Sequence, residues 1–205
     1  MKKPNKKKLL FFGIGAILLF SAFRRKNSNM SEVEKIKRLA LLYEGIEEVG
    51  LNAGFNNAAL EEMLKSEGWK SGEQWCMYFA KTIYTYALPD LASDFRKSLS
   101  GSSQRSFTNV AAGKSKSLKA ITTGKALPGD IVIWTNKSNS SFGHAGIVLE
   151  AGPGNKFKVI EGNANWNPEI SGQGDIVDVV MHEAIIGGTD YPWSAKRLRG
   201  FIRLV

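Results

Sequence analysis

The hydrophobic period of this chain changes once, at Leu127-Pro128-Gly129-Asp130, and the change restricts the folds open to it. Upstream, apolar residues recur at helical spacing. In "SEVEKIKRLALLYEGIEE" (31–48), Val33, Ile36, Leu39, Ala40 and Tyr43 share one face, with Ser31 as N-cap and Glu34 completing a capping box. "AALEEMLKSEGW" predicts a second helix, closed by Gly68, and after the turn "KSGEQ" a third runs from Trp75 to about Ala87, before Pro89. Downstream the period is two. "DIVIW" (130–134), "HAGIVLE" (144–150), "KFKVIEGN" (156–163), "DIVDVVMHEA" (175–184) and "RLRGFIRLV" (197–205) are β-branched and aromatic runs, with the hairpin signal "GPGN" between two of them. Between the two regimes, residues 97–127 are rich in Ser, Lys, Gly and Thr and read as a loop-rich connection with one short helix. Helices followed by a meander of strands predict an α+β fold, with N-terminal helices packed on an antiparallel sheet.

Charge divides the chain differently. Of the formal +9, residues 1–30 carry eight basic side chains and no acid, which leaves +1 for residues 31–205. The folded part is therefore near neutral, and a general nucleic-acid surface is excluded. The charged segment is "MKKPNKKK", then the apolar run of residues 9–23, then "RRKNSNM". Fifteen uncharged, mostly apolar residues span about 22 Å as a helix, short of the ~30 Å hydrocarbon core. The layout is that of a signal peptide, but a small-x-small cleavage site is lacking, so residues 1–30 read as an uncleaved signal anchor whose Lys and Arg snorkel. The excess of lysines before the run places the N-terminus in the cytoplasm and residues 31–205, one domain, outside it.

The inventory of reactive groups is short. There is one cysteine, Cys76, and there are two histidines, His144 and His182. An internal disulfide is impossible, a four-ligand zinc site lacks ligands, and no G-x-S-x-G elbow is present. Neither a metal nor a cofactor is expected. A thiol nucleophile with an imidazole base fits what remains. Cys76 begins a helical pattern, but a helix N-terminus lowers a thiol pKa by only about one unit, so activation needs a histidine beside it. His144 opens a strand in "GHAGIVLE", where alternation sets the bare Gly146 on its face. His182, mid-strand beside Glu183 and without small neighbours, reads as a surface or satisfied structural histidine. Glu161 and Asn163, at i and i+2 on one strand, are candidate partners for the second nitrogen of His144.

Taken together and in order, "GEQWCMYFAK", "LPGDIVIW", "GHAGIVLE" and "VIEGNAN" resemble the CHAP family of cysteine, histidine-dependent amidohydrolases/peptidases, within the papain-like superfamily. The similarity covers roughly residues 40–205, with "EEVGLNAGFNN", "QRSFTNV" and "RGFIRL" as less specific features. It implies a papain-like fold, with helices on an antiparallel sheet or half-barrel. It implies Cys76 as nucleophile, His144 as base, Glu161 as imidazole partner and Asn163 as a further polar member. Met77 departs from the small residue usual after the family's cysteine. The implied substrate is peptidoglycan, cut at the N-acetylmuramoyl-L-alanine amide or at a peptide bond. Two other readings stay open: a non-catalytic wall-binding or envelope-assembly protein with an inert Cys76, and a phage-type lysin with a signal-arrest segment.

Overall fold

A computed structural model describes residues 29–50, 52–164, 176–189 and 195–205. The charged and apolar N-terminal segment expected to act as an anchor lies outside them. Among the described residues, no helix is long and apolar enough to cross a membrane.

Helix α1 is Glu32–Leu41, burying Ile36, Leu39 and Ala40. It stops seven residues before the end that its periodicity predicts. The reason is tertiary: Gly45 turns at φ 78°, its N–H donates to Val177 O (2.8 Å), and Ile46 O accepts from Val177 N–H (2.9 Å). Backbone that would continue the helix is taken by a strand. A small ribbon, β1 (Glu48–Val49) with β2 (Gly54–Phe55), leads to α2 (Ala58–Ser66), capped by Asn57, whose side chain accepts from Leu60 N–H. Helix α3 (Cys76–Ala87) is buried on nearly every side, as a central helix must be, and ends before Pro89. One 3₁₀ turn (Pro89–Leu91) joins it to α4 (Ala92–Ser98), and α5 (Ser103–Ala111) follows.

Residues 97–127 are more ordered than their composition predicts. Besides α5 they contribute strand β3 (Leu118–Ile121). Their serines act as fasteners: Ser102 caps α5, Ser106 Oγ bonds Ser100 O and Ser102 O, and Ser117 together with Ser115 binds the Asp94 carboxylate. Local polar bonds replace the apolar periodicity that a pattern search needs.

The remaining strands are β4 (Ile131–Asn136), β5 (Gly143–Ala151), β6 (Lys156–Ala164), β7 (Ile176–Glu183) and β8 (Lys196–Leu204). All five expected strands form. With β3 they make a six-stranded antiparallel sheet in the order β3-β8-β4-β5-β6-β7, so the last strand inserts beside β4. The sheet is sharply curled. Phe157 and Phe201 lie three strands apart, roughly 14 Å on a flat sheet, yet their rings meet at 5.9 Å. Trp134 and His182, also three strands apart, meet at 4.5 Å. The concave face thus closes on its own core of Val132, Trp134, Val148, Phe157, Val159, Leu198 and Phe201. The convex face receives α3, which packs on β5 and β6. The architecture is α+β and compatible with the papain-like half-barrel.

Candidate active site

Cys76 owes its position to the residue before it. Trp75 is fully buried, edge-on to Phe55 and to Phe79, and its indole N–H donates to Glu48 Oε2 (2.8 Å). The other oxygen of Glu48 accepts from Asn52 N–H (2.8 Å), so a buried carboxylate locks the β1–β2 turn to the start of α3. From the other side Trp75 and Phe79 press on Gly162 of β6, where a Cβ would lie 2.4 Å from the indole. Cys76 therefore opens a helix whose first turn is clamped between ribbon and sheet. Its backbone N–H, like those of the next residues, has no partner within the helix.

His144 enters from β5, opposite Trp134 of β4. Cys76 and His144 are hydrogen-bonded and both nearly covered, at 6% and 4% exposure. On the far side of the ring, His144 Nε2 lies 3.1 Å from Glu161 Oε2. An ionised carboxylate only accepts, so Nε2 carries the proton and Nδ1 is left to meet the thiol. The bare patch expected at Gly146 is where the carboxylate side chain passes: a Cβ there would sit 2.7 Å from Glu161 Cγ. Cysteine, histidine and glutamate, expected from separate segments, thus form one chain of contacts.

Electrostatics follow from that chain. Burial pushes the Cys76 thiol up, but the charge and hydrogen bond of His144 and the N–H groups of Ala145 and Met77 more than reverse this, leaving it below its ordinary value. For His144, burial favours the neutral ring, while the charges of Glu161 and Cys76 and hydrogen bonds to both raise its pKa to about 8. Burial likewise opposes ionisation of Glu161, and His144 and His182 together overcome it, holding its pKa at about 2. The arrangement favours a thiolate–imidazolium pair backed by a carboxylate at neutral pH.

Two expectations need correction. Asn163 does not simply share a face with Glu161. The β6–β7 register shifts between Glu161 and Ala164, and Asn163 adopts φ 59°, so strict alternation fails there. Among the described residues its buried Oδ1 has no hydrogen-bond partner, and the ring of His144 is held by Glu161. His182 is no surface residue. It is fully buried, and its Nε2 lies 3.0 Å from Glu161 Oε1, the oxygen that His144 does not use. One signal for this was in the sequence: His182 shares its face of β7 with the buried Val180, whereas Met181 and Glu183 turn outward. What it meets there depended on the pairing of β6 with β7, which no short hairpin sets.

Comparison with known proteins adds one finding. Residues 68–163 match the family model of the CHAP domain. No curated protein and no solved structure matches the chain. CHAP domains are in general cysteine- and histidine-dependent amidohydrolases that act on peptidoglycan. The matched stretch contains Cys76, His144, Glu161 and Asn163 and stops before His182. Over residues 68–163, just under half of its length, this chain is similar to the CHAP domain family.

Proposed function

We propose that this chain is a peptidoglycan hydrolase that cleaves an amide bond through Cys76. The observation that carries the reading is the contact chain from the Cys76 thiol through His144 to Glu161. In this mechanism the Cys76 thiolate attacks the amide carbonyl, forming a C–S bond. The oxyanion is met by the Cys76 N–H at the start of α3. Imidazolium His144 gives its proton to the nitrogen as the C–N bond breaks, and the amine leaves. His144 then takes a proton from water, whose oxygen attacks the thioester; the C–S bond breaks, the carboxylic acid leaves, and the Cys76 thiolate and imidazolium His144 are restored. Glu161 stays ionised throughout and stabilises the imidazolium.

The basic and apolar segment of residues 1–30 supports a location for this activity: membrane-anchored, with residues 31–205 facing the wall. The bond cut is the N-acetylmuramoyl-L-alanine amide or a bond of the wall peptides. Clearing of a peptidoglycan suspension by the full-length chain tests the reading. Wild type is expected to clear it and Cys76→Ala to leave it turbid; equal clearing by both would remove Cys76 from the reaction. Mass spectra of the released fragments identify the bond. A chain that binds walls without releasing fragments would instead be the non-catalytic protein.

A further inference from the structure

Glu161 has two oxygens, and the mechanism above uses one. The carboxylate is fully buried, with no water surface to satisfy the other. Oε2 meets His144 Nε2 at 3.1 Å, and Oε1 meets His182 Nε2 at 3.0 Å. We propose that His182 is a positioning residue of the site, its Nε2–H fixing one oxygen of Glu161 so that the other stays aimed at His144. This rests on the reading of Cys76 and His144 as the reacting pair. His182 acts through Glu161.

Geometry supports the assignment. His182 stands opposite Phe157 on β6, four residues from Glu161, and the concave curl tips the two side chains together. The ring is held between Trp134, 4.5 Å away, and Phe157, 5.9 Å away and nearly parallel. Trp134 also lies 5.7 Å from the His144 ring, so one indole braces both imidazoles. A donor fixed in this way removes the freedom of the carboxylate to swivel. Without it, a buried anion has a deserted oxygen and either rotates toward another donor or takes up a proton. Both outcomes loosen its hold on His144. Among the described residues, the titratable groups facing Glu161 are His144 from β5, Cys76 beyond it on α3, and His182 and Asp178 from β7. Asp178 is the cross-strand partner of Glu161, half-buried, with its Oδ1 accepting from Val179 N–H (2.7 Å).

Because Cys76 is the only cysteine, its alkylation by iodoacetamide reports this site alone. The rate is followed against pH in the full-length chain for wild type, His182→Phe and His182→Gln. Phenylalanine keeps the ring packing and removes the donor, whereas glutamine restores an N–H. The acid-side midpoint is expected to rise by about one pH unit in His182→Phe and to return most of the way in His182→Gln. On peptidoglycan, kcat should fall about tenfold with KM little changed, at the lower end of effects from outer partners of functional histidines. A folded His182→Phe with the wild-type midpoint overturns the proposal. Should that variant fail to fold, ¹⁵N spectra of histidine-labelled wild type decide: a proton on His182 Nε2 at neutral pH upholds it, and an unprotonated Nε2 overturns it. Alkylation needs no wall substrate, so a shifted midpoint in a chain that digests no peptidoglycan upholds the positioning role while ending the hydrolase reading.

Discussion

Glu161 shows how much a single residue settles. A carboxylate at zero exposure is costly unless its charge is compensated, and here two imidazole N–H groups do so. Its pKa of about 2 means that it contributes stability above its ordinary value of 4.5, lost as pH falls toward 2. For His144 the sign is opposite: raised from 6.5 to about 8, it stabilises the fold below 6.5, and that contribution disappears as pH rises through about 8. Hydrolysis should fall on the alkaline side near the same point, because the leaving amine needs the imidazolium proton; a pH–rate profile of kcat measures this. Glu161→Gln keeps the shape and removes the charge, so kcat should fall roughly 10²-fold or more, while the acid limb of Cys76 alkylation moves upward. Gly146→Ala would test the same carboxylate by steric means. Its Cβ would lie 2.5 Å from Val159 Cγ1 and 2.7 Å from Glu161 Cγ, so a loss of about 1–3 kcal/mol in denaturant unfolding is expected, together with lower activity.

Elements reach the site through their ends. Helix α3 is held at its start by Trp75 and Glu48 and along its flank by a buried ionic cluster. There Lys81 Nζ donates to Glu67 O (2.8 Å) and lies 3.4 Å from Glu67 Oε2, while Arg96 forks onto the same carboxylate. The Glu67 side chain is fully covered and that of Lys81 only 10% exposed, so Glu67→Ala would strand a buried cation. Calorimetry or denaturant unfolding should register about 3–5 kcal/mol of destabilisation. Glu48→Ala should cost less, about 1–3 kcal/mol, because it leaves neutral N–H groups unsatisfied rather than a charge. It should also slow alkylation, since the clamped indole precedes Cys76. The existence of α3 and of the five strands was legible from periodicity. The early end of α1 was not, because Val177 competes for its backbone from more than 130 residues away. Strand β3 also escaped a pattern search, since only Leu118 of its four residues is buried.

At the scale of the whole molecule, the curl of the sheet assembles the candidate site. It brings β7 over β6 and β4, so that His182, more than 100 residues after Cys76, joins the same cluster of side chains. The "LPGD" motif belongs to this closure and not to the chemistry. Asp130 is almost fully buried, accepts from Leu127 N–H (2.8 Å), and is forked by Arg203 of β8 at 2.8 Å through both oxygens. Arg203→Ala should therefore lower the melting temperature and leave the alkylation midpoint of the folded protein unchanged. Cell fractionation addresses the remaining long-range proposal: the full-length chain should sediment with membranes, and deletion of residues 1–26 should release it.

Read alone, the sequence determined the succession of helices and strands, the identity of the only possible thiol, and the few groups that could answer it, His144 with Glu161 or Asn163 behind it. Those follow from short-range patterns and from the scarcity of reactive side chains. The tertiary structure alone decided that Glu161 rather than Asn163 holds His144, and that His182 holds Glu161. Both depend on a register irregularity and on the curvature of the sheet, which arise from packing between strands that no local pattern records.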